Sequence, residues 1–156
     1  MEIHAVAYDH PDAVKLSDQV QAEYTSRFGY DDTTPQRPWH FGPPQGLYLL
    51  AYEDGAPVAS GGWRAQDADD EGYRRGDAEV KRMYVVPEAR GRGLARRILA
   101  ALEDSARRAG RVRMVLETGI PLTEAIALYR SSGYVPTADF GPYRGHPDST
   151  FFEKTL

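Results

Sequence analysis

"VVPEARGRGLARRIL", Val85 to Leu99, sets a proline, two closely spaced glycines and four arginines between a run that reads as a strand and one that reads as a helix. The residues leading into it, "AEVKRMYVV" (78–86), have the β-branched and aromatic content of a strand, and Pro87, with no N–H to give a ladder, ends it. From Gly93 the apolar period becomes 3.6. Leu94, Ile98, Ala101, Leu102, Ser105, Ala106 and Ala109 share one face, with Arg96, Arg97, Glu103, Arg107 and Arg108 largely opposite, and Gly110 supplies a stop. Strand, glycine turn and helix together outline an anion site: the first helical N–H groups lack partners, the macrodipole is positive there, and glycine admits close backbone approach. A diphosphate suits such a site. A dinucleotide-binding fingerprint would need glycine where Arg96 stands, and a Walker A loop would need Gly-Lys-Ser/Thr, so neither common phosphate motif applies.

Around this stretch the charge is segregated. Lys81 to Arg113 holds ten basic residues against Glu88, Glu103 and Asp104, although the 156-residue chain has a formal net charge of -4. An acidic chain without interleaved aromatics in its basic segment predicts no nucleic-acid partner. With 41% hydrophobic and 27% charged residues the chain reads as one soluble domain, 1–156. No apolar run nears the roughly 20 residues that span a bilayer, which predicts no membrane partner. "MEIHAVAYDHPDAV" lacks the pattern of a secretory leader, which predicts a cytoplasmic location. The absence of Cys excludes disulfides, thiolate metal sites and a cysteine nucleophile.

The remaining elements follow from periodicity and punctuation. Ile3, Ala5 and Ala7 alternate as in a strand; Pro11 and Asp12 open a helix carrying Val14, Val20, Tyr24 and Phe28 that stops at Gly29. "YDDTTPQRPWHFGPPQG" (30–46) reads as a long ordered loop with room for a short helix. Asp54-Gly55 joins Leu47–Tyr52 to Val58–Trp63 as a hairpin. "VRMVLET" (112–118) reads as a buried strand, "TEAIALYRSSG" (123–133) as an amphipathic helix, and the tail as two strands around a turn-rich segment. The predicted order is β-α-loop-β-β-β-α-β-α-β-β.

Arg90-Gly91-Arg92-Gly93-Leu94-Ala95 fits the pattern Arg/Gln-x-x-Gly-x-Gly/Ala and resembles the pyrophosphate loop of the GNAT superfamily of acetyl-CoA-dependent N-acetyltransferases. "AEVKRMYVVPEARGRGLARRIL" is similar to that family's fourth strand and third helix, and "TEAIALYRSSGYV" to its next helix and strand. The resemblance implies an α/β (α+β) fold: a mixed, mostly antiparallel sheet of six to seven strands flanked by helices, with the fourth and fifth strands splayed at a bulge. It implies acetyl-CoA as acyl donor and no metal. The backbones of Met83, Tyr84 and Val85 would pair with pantetheine, and N–H groups from Arg90, Gly91, Arg92, Gly93, Leu94 and Ala95 would hold the diphosphate. Glu79 stands where relatives carry a general base and Tyr129 where they carry the acid that protonates the leaving thiolate; Thr118 stands at a cofactor contact where Asn is frequent.

The implied activity is acetyl transfer to a primary amine of a small-molecule or amino-acid-like acceptor. A peptide or protein N-terminus and a catalytically silent acyl-CoA sensor are the alternatives, and a homodimer stays open. Acceptor selectivity would lie in the long loop and around Phe140 to Pro147. His4, His10, His40 and His146 show no metal spacing, and of these His40 is the candidate substrate contact.

Overall fold

The computed structural model describes residues 1–32 and 36–156. Part of the predicted long loop, residues 33–35, lies outside them. Strand β1 (Glu2–Ala5) leads into helix α1 (Pro11–Phe28), which Gly29 ends at φ 79°. A 3-10 turn (Pro38–Phe41) precedes β2 (Gly46–Glu53) and β3 (Ala56–Gln66). Between those two strands Asp54 and Gly55 are both left-handed, at φ 51° and 79°, the geometry of a two-residue hairpin turn. Then come β4 (Asp77–Val85), α2 (Leu94–Arg108), β5 (Arg113–Gly119), α3 (Thr123–Ser131), β6 (Val135–Pro136) and β7 (Ser149–Thr155). The predicted order and the mixed, mostly antiparallel sheet are both present.

The seven strands form one sheet in the order β1-β2-β3-β4-β5-β7-β6, in which β4 and β5 are the parallel pair. Helices cover both faces. Trp63 donates to Ser105 of α2, while Tyr84 and Tyr52 donate to Gln19 and Asp12 of α1, so α2 and α1 pack on opposite sides. The main core runs between these layers through Leu16, Leu50, Trp63, Ile98, Leu102 and Met114. Alternation along β5 and β7 turns Val115 and Phe151 outward into a second, smaller cluster with Tyr73 and Phe140.

One predicted face is corrected. Glu103, expected on the polar side of α2, is buried, where it accepts hydrogen bonds from Tyr134 Oη at 2.8 Å and Lys154 Nζ at 3.0 Å. Partners from β7 and the turn after α3, far along the chain, decided its place.

Two irregularities shape the middle of the sheet. Ser60 pairs with Tyr84 and Gly62 with Lys81, so Gly61 alone faces both Arg82 and Met83: β4 bulges by one residue. Arg82 takes up the bulge at φ 60°, and a Cβ on Gly61 would collide with Met83 Sδ. The second is an early end to the β4–β5 ladder, which pairs Asp77, Ala78 and Glu79 with Arg113, Met114 and Val115 and goes no further. Arg113 clamps that closed end, with Nε and Nη2 each 2.7 Å from the buried Asp77 carboxylate. Beyond Glu79 the two strands part.

Candidate active site

The parting of β4 and β5 opens a cleft of about 600 Å³, lined along one wall by Val80 to Val85 and along the other by Leu116 to Gly119. At its far end stand Gly91, Gly93, Leu94 and Ala95, and at its near end the loop after α1 and Tyr143, Asp148 and Ser149. Of the sequence-predicted site residues, the cleft gathers Tyr129, Met83, Tyr84, Val85, Arg90, Gly91, Gly93, Leu94, Ala95 and Thr118. Glu79 and Arg92 are not on its walls.

The turn before α2 has the form of an anion cradle. Gly91 and Gly93 are left-handed at φ 81° and 79°, and a Cβ on either would meet nothing within 4 Å, so their outward side is open. Gly93 is the N-cap of α2 without any side-chain cap, which leaves the first-turn N–H groups, beside the cleft, without an intrahelical acceptor. The arginines beside them are mostly engaged by protein. Arg92 holds Glu53 through both Nη atoms at 2.6 and 3.0 Å; Arg90 holds Glu23 and the Val85 carbonyl; Arg96 reaches Ser131 and Ser132. Backbone, more than guanidinium, is what this turn presents.

Glu79 is occupied elsewhere. Buried at 4% exposure, its carboxylate accepts from Arg64 Nε at 3.0 Å, Gln66 Nε2 at 3.1 Å and Tyr73 Oη at 2.9 Å. These donors lie on the α1 side of the closed end of the sheet, before the strands part. Burial, with the Glu79 charge beside it, pushes the Tyr73 phenol far up, so it stays a donor.

Of the acidic residues that line the cleft, Glu117 is the one on β5, just past the last β4–β5 pair. Its pKa is raised chiefly by burial, against the opposing effects of a hydrogen bond with Ser149 and the charge of Lys81, while Asp32 and Glu79 add to the rise. Tyr129, 6% exposed on α3, is pushed up by burial and then by the charge of Glu117. A half-buried carboxyl and a protonated phenol therefore face one space. Sequence reasoning took Glu117 for the end of a strand; what marks it is the splay, a tertiary feature.

The two predicted selectivity segments meet at the near end. Tyr143 Oη donates to Asp32 at 2.9 Å, and Tyr30 Oη lies 3.1 Å from His146 Nε2. His40 is turned away: its Nδ1 accepts from the Arg37 N–H at 3.3 Å in the 3-10 turn.

The sequence profile of the acetyltransferase (GNAT) family matches residues 13–134. The chain belongs to that family. It is 44% identical over 113 residues to an IAA acetyltransferase of Azospirillum brasilense, spanning 72% of this chain and 70% of that one. A Klebsiella pneumoniae structure provisionally named as an acyl-CoA N-acyltransferase superposes with a TM-score of 0.81 at 30% identity, covering 99% of this GNAT chain and 97% of the other. Salmonella typhimurium yncA, solved with its cofactor acetyl-CoA, shares the fold at a TM-score of 0.72 and 23% identity, over 99% and 94% of the two chains. This GNAT protein is an acyltransferase of the N-acetyltransferase type.

Proposed function

We propose that this protein moves the acetyl group of acetyl-CoA directly to the primary amine of a small-molecule or amino-acid-like acceptor, with Glu117 taking the proton of the acceptor ammonium and Tyr129 giving one to the departing sulfur. The observation that carries the reading is the opening between β4 and β5, which has the uncapped, glycine-flanked start of α2 at one end and the Glu117–Tyr129 pair within it.

The residues present fit acetyl-CoA. The N–H groups from Gly91 to Ala95 suit the diphosphate, and the β4 edge from Met83 to Val85, which β5 leaves unpaired, suits the amides of an extended arm. Thr118, buried on the opposite wall, suits a contact with the same arm. Bound there, acetyl-CoA supplies an acyl group activated as a thioester. What the protein must add is proton management, because an alkyl ammonium with pKa near ~10 has no lone pair to attack with. Glu117, with its pKa raised by burial, is a stronger base than an ordinary carboxylate. Tyr129 keeps its proton on Oη until a more basic atom appears beside it. Glu79 suits the base role less well, since three donors already hold its carboxylate. Asp31, Asp32 and Asp148 at the near end favour a cationic acceptor.

The reading is tested by incubating the protein with acetyl-CoA and a panel of amines, amino acids and peptides, following free thiol and the acetylated product by mass spectrometry. Stoichiometric CoA and N-acetyl product are expected. Acetyl-CoA binding without turnover across the panel would instead indicate a sensor, and turnover confined to peptides would shift the acceptor to a polypeptide N-terminus.

A further inference from the structure

Three arginines are buried among the described residues: Arg64, Arg82 and Arg113. Two have firm partners. Arg113 is held by Asp77 and Glu153, and Arg64 by Glu79 and Gln36. Arg82 differs. Its side chain is 4% exposed, its Nη2 lies 3.8 Å from Asp32 Oδ2, too long for a hydrogen bond, and its Nε and Nη1 have no acceptor among the described residues. Asp32 is meanwhile shared with Lys81 Nζ at 2.9 Å and Tyr143 Oη at 2.9 Å. A guanidinium cannot shed its proton to escape burial, so donors left idle in this way are costly unless something else supplies the acceptor.

The bulge puts Arg82 where that acceptor would arrive. Because β4 carries one extra residue, Lys81 and Arg82 both reach the α1 side, toward Asp32, while Met83 turns to α2. Arg82 lines the cleft with Tyr24, Glu117 and Tyr129, at the end away from the Gly91–Ala95 turn. Tyr24 feels the charges of Arg82, Asp32 and Glu117 together, so the cation and the two carboxylates share one pocket. One carboxylate for an ammonium and one under-used guanidinium on the walls of the same cleft are complementary to a zwitterion.

We infer that Arg82 binds the carboxylate of the acceptor, and that the acceptor is an amine of the amino-acid class, with Glu117 at its amino group and Arg82 at its carboxylate. This rests on the transfer reading above for what happens to the amine, but the binding claim stands separately. A bidentate guanidinium–carboxylate contact gives orientation as well as affinity, which fixes the amine toward the acyl group.

The test uses the twenty common L-amino acids, each beside its carboxamide, with the full-length protein. Binding is measured by calorimetry in the presence of CoA, where no transfer occurs, and turnover is measured with acetyl-CoA. At least one acid should bind about tenfold or more tighter than its amide. The amide has the less basic amine, which biases turnover against this result. Arg82→Gln should remove the advantage of the acid and Arg82→Lys should restore part of it, with thermal unfolding and acetyl-CoA affinity checking that each variant is folded. Acid-selective binding that depends on Arg82 but yields no product would uphold the carboxylate site and sink the transfer reading. Turnover of acids and amides alike would do the reverse. An equal loss for acid and amide in Arg82→Gln, or no binding by any acid, overturns the inference and leaves Arg82 with buried water as its partner.

Discussion

Glu79 Oε1 lies 3.0 Å from Arg64 Nε, with both side chains less than 10% exposed. The pair joins β4 to β3, and Gln66 and Tyr73 complete the shell of the carboxylate. A buried ion broken from one side leaves the other uncompensated, so Glu79→Ala should cost roughly 3–5 kcal/mol of stability, which for a domain this size is a Tm fall on the order of 10 °C. Glu79→Gln, which keeps the shape, should cost less and retain the pH profile of the parent. Loss of the acid limb of kcat/KM in Glu79→Gln would hand the base role back to Glu79.

Glu117 gives the opposite signature. Its pKa stands above the ordinary 4.5, so its protonated form is favoured in the fold and the kcat/KM profile should carry an acid limb displaced upward from that value. Glu117→Gln should flatten the limb and lower kcat by about a hundredfold. For stability the sign is reversed: a carboxyl with a raised folded pKa stabilises fully below its unfolded pKa, and that contribution is lost as pH rises through the folded one. Glu117→Gln should therefore unfold at a higher temperature than the parent at neutral pH, with the gap closing toward pH 4. A variant that loses stability at pH 7 would show that the buried charge is better compensated than proposed.

How far the sequence reached depends on the range of the interaction. Helix α1 ended at Gly29 and the hairpin turned at Asp54-Gly55 as the local residues dictate, because capping and turn chemistry act within a few positions. The glycine turn before α2 was likewise legible, since Gly91 and Gly93 carry their own conformational requirement. Glu79 and Glu117 were not separable on that basis. Both are acidic residues on largely buried strands, and only the donors Arg64, Gln66 and Tyr73 on one side, and the splay on the other, divide a structural carboxylate from a cleft carboxylate. The bulge hid Arg82 in the same way: strict alternation would send it to the α2 side.

Tyr129→Phe keeps the buried ring and its edge contact with Tyr134, 5.8 Å between centroids, so folding should be nearly untouched. The lost hydroxyl should lower kcat by about a hundredfold while acetyl-CoA affinity stays within about twofold. Because the phenol is held protonated well above neutrality, the basic limb of the parent profile should not be its titration and should survive in the variant. Disappearance of that limb in Tyr129→Phe would mean that Tyr129 ionises in the working range.

The contrast between Gly93 and Arg97 separates a backbone cradle from a basic patch. Gly93 sits at φ 79° with open space where a Cβ would go, so Gly93→Val meets no wall yet must hold a left-handed backbone, a strain of roughly 1–2 kcal/mol. The chain relieves it by rotating the turn, which swings the Gly91–Ala95 N–H groups away from the cleft and covers them with an isopropyl group. Acetyl-CoA affinity should fall tenfold or more, measured by calorimetry, with only a few degrees lost in Tm. Arg97, exposed on α2 and away from the cleft walls, contributes only to a field that salt screens, so Arg97→Ala should change affinity by less than about twofold at physiological ionic strength. If Arg97→Ala proved the more damaging of the two, charge rather than backbone N–H groups would be what holds the diphosphate.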